Sequence, residues 1–221
     1  ALLRQDEIAH CGDIVAVIGV RAPVFVTPAS LINIITDTSF LFMLALAQMI
    51  VILTRGIDLS VAANLAMAGM LTALASRAMP ELPVVAIILL STFCGLALGF
   101  VNGALIAGLG IPPIVVTLGT LAVYRGLIFV VAGGQWLTSD DMTPQFLAFP
   151  KSTFFGISSL VWIAAIVIAA FWYLLSQTRT GRGLYAVGGN PVAARYCGID
   201  LAPQQLLVYS IAGAVSGLCG Y

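Results

Sequence analysis

The sequence predicts an all-α polytopic membrane protein, a bundle of about six or seven transmembrane helices. Three observations predict it. Residues of the set Ala, Val, Ile, Leu, Met, Phe, Trp, Tyr and Cys make up 61% of the 221 positions. Charged residues make up only 8%, against about 25% in a water-soluble domain. Apolar stretches long enough to cross hydrocarbon, which takes about 20 helical residues, recur along the whole chain. The mean hydropathy is +1.09, so lipid is the natural solvent for most of this surface.

The spans follow in order. Residues 31–54 form the first long one and hold a single charge, Asp37. The second covers 59–76 and ends in a polar knot at 77–83, where Pro80 and Pro83 stop a helix. The third covers 84–107, and the turn from Gly108 to Pro113 ends it. The fourth, 114–132, carries Arg125. A polar extramembrane loop at 133–158 precedes the fifth span, 159–175, and a second loop at 176–203 precedes the last, 204–221. Upstream, residues 8–20 are apolar but short and include His10 and Asp13. They form either a shortened first span or an interfacial helix. They are not a secretory signal, because the run carries an acid and no cleavage-like site follows it.

Charge narrows the function. Nine basic and nine acidic residues give no net charge, which removes the basic stripe that nucleic-acid binding needs. Cys11, Cys94, Cys197 and Cys219 stand far apart and make no CxxC pair. His10 is the single histidine, so no span after it offers a histidine ligand or a base for a serine. No metal site and no catalytic site is expected. Basic residues set orientation through the positive-inside bias. With the 176–203 loop inside, and 8–20 crossing, Arg4, Arg55, Arg179, Arg182 and Arg195 lie inside; Arg21, Arg77 and Lys151 lie outside.

Gly95, Gly99 and Gly103 repeat every fourth residue, and Gly213 and Gly217 repeat the pattern in the last span. Such stripes let helix backbones approach closely and predict a tight bundle. Between the first two long spans, Asp58 is placed to cap the helix that follows and to pair locally with Arg55. Charges inside a span cost at least about 2.5–3.5 kcal/mol, so Arg125 and Asp37 should face protein or a water-filled cavity. Gln48, Asn64 and Asn102 add amides. This set of Gln48, Asp58, Asn64, Asn102 and Arg125 is the candidate lining of a solute pathway, and it suits a neutral hydroxylated solute better than an ion.

The 176–203 loop is the most informative. Asn190-Pro191 is a helix start and Gly198 a helix stop. Residues 191–197 should therefore form a short helix of about two turns carrying Arg195, a docking knob for a partner protein. Gly181-x-Gly183-x-x-Ala186 imitates a dinucleotide fingerprint, but it follows a membrane span and not a strand. No Walker A sequence is present, since the only lysine, Lys151, has no GxxxxG before it. ATP-driven transport by this chain would use an ATPase on another chain.

Gly56-Ile57-Asp58-Leu59-Ser60-Val61 is followed by Pro112-Pro113-Ile114-Val115-Val116-Thr117-Leu118-Gly119-Thr120 with Tyr124-Arg125-Gly126. Gly181-Arg182, Gly188-Gly189-Asn190-Pro191, Ala193-Ala194 and Gly198-Ile199 come next. In this order the residues resemble the permease subunit of bacterial ABC sugar importers, of the ribose/xylose/autoinducer-type branched permease family. Leu59 to Ala66, Trp136 and Met142 to Leu147 look most like its rhamnose-type branch. The resemblance implies a single permease domain over 1–221 in the bacterial inner membrane, with no cofactor. It implies four kinds of partner: a second permease subunit (the same or a different chain), a cytoplasmic ATP-binding subunit, a periplasmic sugar-binding protein and membrane lipid. It also implies that Gly188, Gly189, Asn190, Pro191, Ala193, Ala194, Arg195 and Gly198 form the helix that docks into the ATPase. The chain departs from the family at Arg55 and Ala62, where Gly is usual. Family chains continue for several more spans, so this one is expected to be truncated at its C-terminus. The alternative class is a secondary carrier or channel for a small polar solute.

Overall fold

The computed structural model describes residues 27–134, 138 and 142–221. The stretch 8–20, together with Trp136, Asp140 and Asp141, lies outside the described residues. Long helices account for the expected spans, displaced by at most three residues. These are α1 (Pro28–Leu53), α2 (Val61–Ala78), α3 (Val84–Leu109) and α4 (Pro113–Val131). After α4 come a short helix, α5 (Pro144–Lys151), and a two-residue ribbon of β1 (Thr153–Phe154) and β2 (Ile157–Ser158). Then follow α6 (Ser159–Gln177), α7 (Arg179–Gly189), α8 (Pro191–Tyr196) and α9 (Leu201–Gly220). Among the described residues, α1, α2, α3, α4 and α6 are long and apolar enough to cross a membrane. The sixth expected span, α9, has 20 residues but opens on Pro203, Gln204 and Gln205. It packs mostly against protein: Val208, Tyr209, Ala212 and Ser216 are buried.

The glycine stripes bring α3 and α9 together. A Cβ on Gly95 would stand 2.5 Å from the Gly217 Cα, and one on Gly99 would stand 2.7 Å from the Gly213 Cα. The backbones are therefore in contact, and Ser91 donates across the seam to the Gly217 carbonyl at 2.5 Å. With no hydrophobic drive between helices in lipid, such close contact and such hydrogen bonds hold a bundle together. On the other side of α9, a Cβ on Gly69 would lie 2.5 Å from the Gly220 carbonyl oxygen, which seats α2. An apolar core joins α1 (Met43, Ala47, Ile50), α6 (Phe171, Leu175) and Val208 of α9.

The described residues of the two expected loops hold more secondary structure than their composition suggests. In 133–158, α5 buries Phe146, whose ring centroid lies 4.7 Å from that of Tyr221. The Ser76 and Thr143 hydroxyls meet at 2.7 Å and tie α5 to the end of α2. In 176–203, glycines read as loop residues lie inside α7. Gly181 approaches the Leu174 and Leu175 carbonyls, and Gly188 approaches the Leu53 carbonyl, so closely that no side chain fits. Here glycine marks backbone contact and not a break. Thr178 starts α7 by accepting from the Gly181 amide at 3.0 Å, while Leu184 and Val187 are fully buried.

Candidate functional site

Two features at one end of the bundle carry the candidate residues. The first is the linker 54–60, which folds back into the protein between α1 and α2. Gly56 donates to the Val51 carbonyl at 3.0 Å and begins that return. Asp58 is buried; its carboxylate accepts from the Ser60 amide at 2.9 Å and from the Ser60 hydroxyl at 2.6 Å. Burial lifts this carboxyl above its usual range, and the two Ser60 hydrogen bonds pull it part of the way back. Ser60, and not Asp58, is the N-cap residue of α2, so the carboxylate supports the helix start from two residues outside it. An acid there also complements the positive end of the helix dipole.

Side chains of four helices, α1, α3, α4 and α9, then hydrogen-bond to this linker. Gln48 of α1 donates to the Asp58 carbonyl at 2.8 Å. Asn102 of α3 donates to the Ser60 hydroxyl at 2.8 Å. Thr117 of α4 and Tyr209 of α9 both donate to the Ile57 carbonyl at 3.3 Å. Asn64 of α2 donates to the Gly95 carbonyl at 3.3 Å. Asn64 and Asn102 are buried, and each leaves its Oδ1 without a partner. An unmet buried acceptor costs about 1–3 kcal/mol, and a water at either oxygen would remove that cost. Four of the five candidate pathway residues thus belong to one polar seam. Ser60, Thr117 and Tyr209, which the sequence alone does not single out, complete it. Ser60 is signalled by its place two residues after Asp58; Tyr209 has no local signal.

Arg125 stands apart. It is exposed on α4, as is Phe129 one turn further on, and Asp37 is exposed on α1. The described helices of this chain cover neither charge, and only one side of α4 meets α2 and α3. The expected Arg55–Asp58 pairing is also not formed. Asp58 is occupied by Ser60, and Arg55 turns outward to the end of α7, where its Nε donates to the Gly188 carbonyl at 2.9 Å and its Nη2 to the Gly189 carbonyl at 2.7 Å.

The second feature is α8. Asn190 accepts from the Val192 amide at 3.0 Å and the Ala193 amide at 3.1 Å, a side-chain cap. Gly198, at φ +79°, ends the turn in the left-handed region. The helix spans Pro191–Tyr196 with Cys197 as its C-cap, one residue short of the expected length. Only Ala194 is buried; Val192 is 64% and Tyr196 89% exposed. A cleft of about 830 Å³, lined by Ile106, Gly110, Val192, Tyr196 and Leu201 among others, separates α8 from the ends of α3 and α9. Arg195 pairs with Asp200 at 3.4 Å, both largely in solvent. This element holds little of the core together and presents apolar and cationic groups outward.

Comparison with known proteins gives the same direction. A sequence model of the family described as branched-chain amino acid transport system / permease component matches residues 30–221. The D-allose transport system permease protein AlsC of Escherichia coli K12 is 35% identical over 94% of this chain and 63% of its own length. The autoinducer 2 import system permease protein LsrC of Escherichia coli O9:H4 is 34% identical over 89% of this chain and 56% of its own. The ribose import permease protein RbsC of Haemophilus influenzae is 32% identical over 99% of this chain and 68% of its own. The chain thus spans a little over half to two thirds of the length of these relatives. No solved structure matches it. Five membrane-length helices and a match across nearly all of the described residues make this chain a multi-pass inner-membrane protein that belongs to the branched-chain transport permease-component family.

Proposed function

We propose that this chain is the transmembrane permease subunit of an ATP-driven importer of a monosaccharide or similarly hydroxylated solute, with rhamnose the first substrate to test. It works with a second permease subunit, a cytoplasmic ATP-binding subunit that hydrolyses the nucleotide, and a periplasmic sugar-binding protein. The names of the relatives, for allose, ribose and autoinducer 2, support a small polyhydroxylated cargo. The observation that carries the proposal is α8: a capped, glycine-stopped helix held off the bundle with Val192 and Tyr196 in solvent. Gly188, Gly189, Asn190, Pro191, Ala193, Ala194, Arg195 and Gly198 build that knob. Arg55, Arg179, Arg182 and Arg195 gather at the same end of the bundle, while Arg77 lies at the far end of α2. The positive-inside bias supports a cytoplasmic position for the knob.

Pathway residues divide by exposure. Arg125 faces out of α4, where a second permease subunit would stand, and is the side chain offered to solute there. Gln48, Asp58, Asn64 and Asn102 act from the buried seam by holding the wall in place. The test is Arg195→Glu in vesicles reconstituted with both partners. Because the Arg195–Asp200 pair is exposed, it contributes only about 0–1 kcal/mol to the fold. Sugar imported per ATP hydrolysed should fall about tenfold, the effect of roughly 1.4 kcal/mol lost at a docking contact. An unchanged ratio removes α8 as the docking element.

A further inference from the structure

Arg55 occupies a backbone position that does not suit it. Its φ is +60°, the left-handed region that favours glycine. The side chain placed there makes two directed hydrogen bonds to residues more than 130 positions away in sequence: Nε to the Gly188 carbonyl at 2.9 Å and Nη2 to the Gly189 carbonyl at 2.7 Å. Those carbonyls belong to the last two residues of α7, which the helix itself leaves unpaired, and they form the negative end of its dipole. A planar guanidinium fork answers two adjacent carbonyls better than a single ammonium does. The main chain reinforces the same contact, because Gly188 lies so close against the Leu53 carbonyl at the end of α1 that a Cβ cannot be accommodated.

Arg55 stands between two mechanically distinct parts. One residue beyond Gly189 is Asn190, the cap of α8. On the other side the chain runs directly into the linker whose Ile57, Asp58 and Ser60 are held by α1, α3, α4 and α9. No other side chain of the linker reaches α7 or α8 among the described hydrogen bonds.

We propose that Arg55 is a positioning residue that latches the α7–α8 elbow to the buried linker, so that displacement of α8 is passed to α1 and α2 and not only along the chain into α9. The latch rests on the importer reading for its role in coupling, but the contact itself is testable without transport.

Arg55→Gly separates the latch from the fold, since glycine is the residue best suited to φ +60° and the variant removes the side chain, fork and charge together, without straining the backbone. Arg55→Lys keeps the charge without the fork. In the assembled importer in lipid vesicles, amide hydrogen exchange across residues 190–198 should rise about tenfold in Arg55→Gly, as for loss of a charge-assisted hydrogen bond, with Arg55→Lys between. Sugar imported per ATP should fall in the same order while the complex is recovered in normal amount. Unchanged exchange overturns the latch, and so does unchanged import per ATP. If the unaltered assembly shows no ATP-dependent uptake, the importer reading fails, and the exchange measurement still decides whether Arg55 holds the elbow.

Discussion

Gly99→Leu should prevent α3 from seating on α9. At this position a Cβ meets the Tyr209 carbonyl oxygen and comes within 2.7 Å of the Gly213 Cα and 3.0 Å of its amide nitrogen. All of these are backbone atoms, which cannot swing aside as a side chain does. The helices must separate, and separation also breaks the neighbouring approaches at Gly95 and Gly217 and the Ser91 hydrogen bond. Forced overpacking of a good interface costs about 1–3 kcal/mol and sometimes more, and a rigid two-helix seam belongs at the upper end. We expect the permease carrying Gly99→Leu to be recovered from detergent as aggregate or in sharply reduced yield. Gly119→Ala and Gly126→Ala are the controls. Both glycines lie in α4 with nothing within 4 Å of the added Cβ, so the change should be neutral or stabilise the helix by about 0.5–1 kcal/mol. A Gly99→Leu protein with the yield and melting temperature of these controls would show that the seam is not what holds α3 to α9.

That seam was legible because spacing alone encodes it: glycines every fourth residue occupy one helix face, whatever the partner turns out to be. The long helices were legible for a similar reason, since hydrocarbon imposes their length and apolarity independently of tertiary detail. What escaped depends on contacts distant in sequence. The α7 segment has four glycines in eleven residues, which read locally as a breaker; the Leu174 and Leu175 carbonyls explain Gly181, and the Leu53 carbonyl explains Gly188. Arg55 has Asp58 three residues away, the obvious partner by proximity, yet the linker turns the carboxylate inward to Ser60 and the guanidinium outward to α7. The amides Asn64 and Asn102 were recognisable as unusual in apolar helices. Whether they face a pathway or a seam is set by which helix lies opposite, and no pattern within α2 or α3 states that.

Asp58→Ala should be the most costly change in the linker. The carboxylate accepts both polar hydrogens of Ser60, and Ser60 is fully buried, so truncation leaves an amide and a hydroxyl without their acceptor. Each orphaned buried donor costs about 1–3 kcal/mol. The hydroxyl can turn toward another acceptor, which brings the expected loss to about 3 kcal/mol, read as a lowered unfolding midpoint in detergent. Asp58→Asn keeps a carbonyl oxygen on the same stem and should lose about half as much. The seam also predicts non-additivity, since Asn102 donates to the same hydroxyl. Once Ser60→Ala has removed that group, Asn102→Ala should cost about 1 kcal/mol less than it does in the unaltered chain, within the usual range for residues sharing one network. Additive losses would mean that Asp58, Ser60 and Asn102 act separately. The linker would then be held by Gln48, Thr117 and Tyr209 on its main chain, and the carboxylate would be no more than a local turn acceptor.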